Sequence, residues 1–103
     1  MPQKTYAGFT IDMTEEGYMT NPSQWTKEIA FEIAREEDLI LTDQHFAIIE
    51  FLRNKFNNGE TLSIRCINHS GIMDVRTFYN IFPGAPLKKA TRIAGIPKPT
   101  NCI

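Results

Sequence analysis

Residues that start or stop helices cut this sequence at short intervals, so it can build only a bundle of short helices. Asn21-Pro22-Ser23-Gln24 reads as a helix start. Asn21 is placed to cap, Pro22 sits at the first helical position where no amide hydrogen is needed, and Gln24 lies three residues past the cap. Trp25, Ile29 and Ile33 then recur at i, i+4 and i+8 with Ala30 and Ala34 beside them, which makes that face core. A second helix is expected from Thr42-Asp43 to about Phe56, carrying Phe46, Ile49, Leu52, Arg53 and Phe56 at helical spacing until Asn57-Asn58-Gly59 ends it. Shorter helices are expected over about 62–69, stopped by Ser70-Gly71, and about 73–81, stopped by Phe82-Pro83-Gly84. The last runs from Pro86 to Gly95, with Gly95 in the left-handed conformation that closes a helix, Ile96 folding back as its hydrophobic contact, and Pro97 as the stop. At the other end, residues 6–11, a Thr14-Glu15-Glu16-Gly17 turn and Tyr18-Met19 read as a small β-hairpin that caps the bundle. The expected fold is therefore mainly α: an orthogonal bundle of about five helices with a small N-terminal β-hairpin and an extended C-terminal arm over 96–103.

Composition fits one small domain spanning 1–103, since 103 residues make room for one core and 42% hydrophobic with 22% charged residues is ordinary globular usage. No apolar run approaches the roughly 20 residues of a membrane span, and MPQKTYAGFT has neither the apolar core nor the cleavage site of a signal peptide, so no membrane is expected and a cytoplasmic location is. Two cysteines without regular spacing do not make a disulfide framework, and a reducing compartment leaves both as thiols. A net charge of −1 supplies no broad basic surface for nucleic acid or anionic lipid, which points to proteins as partners.

The chain finishes Gly95-Ile96-Pro97-Lys98-Pro99-Thr100-Asn101-Cys102-Ile103. Two prolines favour an extended, polyproline-like path, and at about 3.1 Å per residue the stretch from Ile96 to Ile103 could span roughly 25 Å, enough to carry the Cys102 sulfur into another protein's cleft. The plain alternative is a frayed tail with an incidental cysteine.

Resemblance separates the two. FPGAPLKKATRIAGIPKPTNCI is similar to the C-terminal signature of the DsrC/TusE/DsvC sulfur-relay family, with Phe82, Pro83, Pro86, Lys88, Ala90, Ala94, Gly95, Pro97, Lys98, Pro99, Cys102 and Ile103 matching. The likeness continues more loosely through Glu16-Gly17-Tyr18, residues 21–25, His45 and Phe51-Leu52-Arg53, and so covers essentially the whole chain. Members that work with dissimilatory sulfite reductase carry a second cysteine eleven residues before the penultimate one, where this chain has Thr91. The stretch between Arg65 and Phe78 is also shorter than in those members and lacks their Lys-Gly-Asn-Ser segment. The resemblance therefore implies the one-cysteine, TusE-like branch and a DsrC-like fold.

By that resemblance, Cys102 accepts sulfane sulfur as a transient persulfide, with no resident cofactor, and passes it to a protein acceptor; the protein is a sulfurtransferase-type carrier rather than a turnover enzyme. The implied partners are a TusBCD/DsrEFH-like donor complex and an acceptor protein, with a sulfite reductase as a further partner and tRNA reached only indirectly through 2-thiouridine synthesis. Pro97, Lys98 and Pro99 would bind the partner. Lys88, Lys89 and Arg92, at i, i+1 and i+4 of one helix, would steer an acidic partner toward the arm, although such a trio is ordinarily a solubilising surface. Lys98, and Arg92 if the arm folds back, would lower the Cys102 thiol pKa while the terminal carboxylate would raise it, both weakly in water.

The remaining chemistry-bearing residues have structural readings. Cys66 is expected to be a buried packing thiol, and His45 a capping or surface hydrogen-bonder in a helix's first turn. His45 and His69 have no metal-ligand spacing around them, so no metal is expected. Glu36-Glu37-Asp38 is a charge run at a helix end, ordinarily a solvated face. Two other functions stay open: an accessory, gamma-like protein of sulfite reductase or sulfur metabolism, and a small regulator, because 62–81 has a helix-turn-helix-like outline. The regulator is poorly equipped, since the second helix of that outline has only Arg76 as a basic side chain.

Overall fold

The computed structural model describes residues 3–60 and 62–97. Strands β1 (Gln3–Tyr6) and β2 (Phe9–Asp12) pair antiparallel, Tyr6 opposite Phe9, around a two-residue turn in which Ala7 and Gly8 both have positive φ, 51° and 83°. The expected unbroken strand over 6–11 is thus folded back on itself, because two successive left-handed residues make the tight turn that suits strand twist. The Thr14–Gly17 turn exists as well: the Thr14 amide donates to the Tyr18 carbonyl at 2.8 Å, and Met13 bridges to Met19. Tyr6, Ile11, Met13, Tyr18 and Met19 are buried, so the hairpin covers one end of the helices and packs on the first of them.

Among the described residues five α-helices follow: α1 (Lys27–Glu36), α2 (Asp43–Asn57), α3 (Ile64–Asn68), α4 (Val75–Ile81) and α5 (Pro86–Ile93). The first begins later than the sequence suggests. Asn21 does cap, its Oδ1 accepting from the Ser23 amide at 3.1 Å, but only a 3₁₀ turn over Pro22–Gln24 forms. Trp25 is extended, with ψ 140°, and α1 restarts under a second cap, Thr26, whose Oγ1 accepts from the Ile29 amide. The helix is interrupted because the Trp25 side chain is held elsewhere, as shown below.

The buried stripes of α1 (Ile29, Ala30, Ile33, Ala34) and α2 (Ile48, Ile49, Leu52) share one core with the inward face of α5 (Leu87, Ala90, Ile93). Helix α5 packs against both α1 and α2, while α3 and α4 pack mainly on each other and are pinned by Ile67 and Phe78. His45 links the two halves. Its Nδ1 accepts from the Thr42 amide at 3.0 Å, closing a capping box on α2. Its Nε2, 2.8 Å from the Ile81 carbonyl, must therefore be the protonated nitrogen and donate. It caps as expected, but it is buried rather than on the surface, and its ring meets Phe82 edge-on at 4.9 Å.

Candidate functional site

The arm-bearing end of α5 is where the sequence places the chemistry. Every terminal carbonyl of that helix has a partner. The Ile96 amide donates to the Thr91 carbonyl and the Gly95 amide to the Arg92 carbonyl, both at 3.3 Å, which is the paired closure expected of a left-handed glycine cap. Trp25 Nε1 donates to the Ile93 carbonyl at 2.8 Å. The Arg53 guanidinium donates to the Ala94 carbonyl at 2.8 Å and to the Pro22 carbonyl at 3.1 Å. Helix ends ordinarily leave such carbonyls to water or to the chain's own turn.

Gly95 is required twice over at this end. Its φ is +70°, and a Cβ there would lie 2.2 Å from Trp25 Cδ1. The indole is thus pressed against the α5 backbone on one side, and the Arg53 guanidinium lies 4.3 Å from its ring centroid. Ile96, the first residue of the expected arm, is fully buried and belongs to the body, and Pro97 after it is half-buried. Lys98, Pro99 and Cys102 lie outside the described residues.

The basic side chains expected to form one steering surface are in three different situations. Lys88 is exposed. Lys89 Nζ donates to the Pro83 carbonyl at 2.6 Å and ties α5 to the preceding turn. Arg92 is turned into the body: Nε donates to the Gly17 carbonyl at 3.0 Å, one terminal nitrogen pairs with Glu37 at 2.6 Å and the other with Glu36 at 2.7 Å. Burial works against its charge, but the bond it donates to Glu36 leads a set of interactions that together hold its pKa above the usual guanidinium value.

Glu36 also accepts from Lys4 Nζ at 2.6 Å and from the Tyr6 hydroxyl at 2.9 Å. Partial burial pushes its carboxyl up, yet the bonds from Lys4, Arg92 and Tyr6 outweigh this and hold it below the usual carboxylate range. The acidic run at the end of α1, expected to be solvated, instead joins the hairpin to α5 because Arg92 and Lys4 converge on it.

Cys66 is half-buried rather than buried. It sits in the first turn of α3, where Ser63 caps by accepting from the Cys66 amide, and the Ser63 hydroxyl donates to its Sγ at 3.4 Å. Thr91 is fully buried, its hydroxyl donating to the Leu87 carbonyl at 2.8 Å. The residues that sequence reasoning passed over are Trp25, read as part of a core stripe, and Arg53, counted among the apolar positions of α2. A cation on a helix's apolar face was the available signal.

Three comparisons bear on this geometry. The family model described as "DsrC like protein" matches residues 5–103. Sulfurtransferase TusE of Photorhabdus laumondii is 34% identical over 106 residues, covering 95% of this chain and 96% of the relative. Among solved structures, DsrC from Allochromatium vinosum superposes with a TM-score of 0.84 at 30% identity over 98% of this chain and 97% of that one. The oxidised gamma-subunit of the dissimilatory sulfite reductase from Archaeoglobus fulgidus gives 0.83 at 29%, over 99% and 100%.

Proposed function

Because the chain belongs to the DsrC-like protein family, we propose that it is a TusE-like sulfur carrier in a persulfide relay, with Cys102 as the residue that carries the sulfur. The observation that supports this most is the end of α5. A helix closed with all of its last carbonyls paired, followed by a buried Ile96, gives the Pro-Lys-Pro segment a fixed origin five residues before Cys102.

The transfer needs no resident cofactor. The Cys102 thiolate attacks the outer sulfur of a donor persulfide, a new S–S bond forms at Cys102, the donor's S–S bond breaks, and the donor leaves as a thiolate. The outer sulfur keeps its proton, and there is no net oxidation or reduction. An acceptor thiolate repeats the step and regenerates Cys102. Donor and acceptor would be proteins, a TusBCD/DsrEFH-like complex upstream and a tRNA-thiolating enzyme downstream, with Lys88, Pro97, Lys98 and Pro99 as the contact residues. Lys89 and Arg92, held by Pro83 and by the Glu36/Glu37 pair, would act by shaping the end they flank.

The gamma-like role suggested by the sulfite reductase relatives is less well supported. A two-thiol cycle needs sulfur at position 91, and Thr91 offers a buried hydroxyl already bonded to Leu87. A regulator is less supported still: α4, the second helix of that outline, has seven residues, about two turns. The test of the carrier is intact mass spectrometry after incubation with inorganic polysulfide. Wild type and Cys66→Ser should each gain about 32 Da, removable by reductant, and Cys102→Ser should not. Sulfur on Cys66 instead would overturn the proposal.

A further inference from the structure

Two side chains from other parts of the chain, Trp25 and Arg53, converge on the end of α5. We propose that Trp25 and Arg53 are positioning residues for sulfur handover: by clamping the Ile93 and Ala94 carbonyls they fix the position and orientation of Pro97, five residues before Cys102. The inference rests on the carrier reading above and adds to it the residues that set the arm's aim.

The first support is the cost accepted to build the clamp. Among the described residues Arg53 pairs with no carboxylate, and its half-buried guanidinium is desolvated enough to lower its pKa. A methionine or leucine at 53 would cover the Trp25 ring without burying a charge. What an apolar residue lacks is the planar fork, which here spans the Ala94 carbonyl on one side and the Pro22 carbonyl on the other. The fork thus fixes α5 to the segment just before α1.

The second support is what Trp25 displaces. Residues 21–36 carry helix signals throughout, yet the helix breaks at Trp25 so that the indole reaches the Ile93 carbonyl, 68 positions away in sequence. Contact with Gly95 then leaves the α5 end no room to rotate toward the ring. Neither Trp25 nor Arg53 is a group for the sulfur chemistry itself. They act through Gly95, Ile96 and Pro97.

The test compares acceptors of different shape. Protein loaded at Cys102 with inorganic polysulfide is offered either dithiothreitol, which needs no docking, or a rhodanese, whose reactive cysteine lies at the floor of a cleft. In both, the acceptor thiolate attacks the outer sulfur and Cys102 leaves as a thiolate. Arg53→Ala should transfer to dithiothreitol within twofold of wild type but to the rhodanese about tenfold less efficiently, mostly through KM, because fewer molecules present the arm productively. Arg53→Lys, which keeps charge and solubility, should fall between, and Trp25→Phe should lose less. Ile67→Val is the control for a merely softened core and should change neither rate. Equal transfer by Arg53→Ala and wild type, or an equal fall in Ile67→Val, overturns the proposal.

A second readout does not depend on sulfur. A nitroxide on Pro97→Cys, with Cys66 and Cys102 changed to serine, should give an immobilised spectrum that becomes mobile on adding Arg53→Ala. A spectrum already mobile before that change, or one unaltered by it, also overturns the clamp. If Cys102→Ser still loads sulfur, the carrier reading fails while the nitroxide spectrum still decides the clamp.

Discussion

The end of α5 and the α3–α4 pair are built to opposite standards. At the end of α5 four successive carbonyls are paired, Gly95 is pressed on Trp25, and Ile96 is fully buried. In α3–α4 the helices are five and seven residues long, Ile72 and Tyr79 are 41% and 44% exposed, and a Cβ on Gly71 would meet nothing within 4 Å. Both regions contribute to one hydrophobic core. Close constraint is concentrated around Gly95 and Ile96, just before the Pro-Lys-Pro segment, which suits a carrier whose cysteine-bearing end needs a fixed origin.

The largest expected contrast comes from two glycines of similar backbone conformation. Gly95 and Gly71 have φ of 70° and 77°, so alanine is strained at either by about 1 kcal/mol. At Gly95 the new methyl also collides with the indole, 2.2 Å from Cδ1, and Trp25 cannot retreat without giving up its bond to Ile93 and its stack under Arg53. Gly95→Ala should therefore cost about 3 kcal/mol or more in urea unfolding, and Gly71→Ala about 1. Equal costs would break the comparison at its root.

Those two sites also mark how far the sequence could be read. The boundaries of α5, the left-handed Gly95 and the inward Ile96 were legible because helix caps are local: each is set by residues within a few positions of one another. The break at Trp25 was not, since its cause lies 68 positions away at the Ile93 carbonyl. The pairing of Arg92 with Glu36 and Glu37, 56 and 55 positions apart, was hidden for the same reason, and each partner alone looked like ordinary surface. Cys66 misled in the other direction, because an apolar-looking helix of five residues turns its first turn partly to solvent. The mainly α bundle was legible from helix starts, stops and apolar spacing, and a hairpin was expected, but its turn at Ala7-Gly8 was not placed.

A medium-sized effect should separate the two regions by pH. The folded-state Glu36 carboxyl lies below its ordinary 4.5, so its contribution is fully present above that value and is lost as the pH falls through the lowered one. Tyr6 lies above its ordinary 10.0, so its contribution is present below that pH and lost as the pH rises through the raised value. Glu36 is partly solvated, and after screening the acid loss should be at most about 1 kcal/mol. Wild type should lose more thermal stability than Glu36→Gln between pH 6 and pH 3, about the experimental range in which carboxylates titrate. Parallel declines would mean that the pairs to Lys4 and Arg92 contribute nothing to holding β1 and α5 against α1.

The smallest expected effect lies on α4. Tyr79 is 44% exposed, and it falls beside Arg76 and Asn80 at i, i+3 and i+4, so all three share the outward side of α4 opposite the fully buried Phe78. Among the described residues Tyr79 makes no side-chain hydrogen bond or ring contact, and truncating a half-exposed ring away from the core leaves neither a cavity nor an orphaned polar group. Tyr79→Ser should therefore shift unfolding by about 0.5 kcal/mol or less and leave sulfur transfer to both small and cleft acceptors unchanged. A larger loss of stability would mean that α4 is held more firmly than its exposure suggests. Unchanged stability with slowed transfer to the cleft acceptor alone would place a docking contact on α4 as well, and the direction of the arm would no longer be the sole determinant of handover.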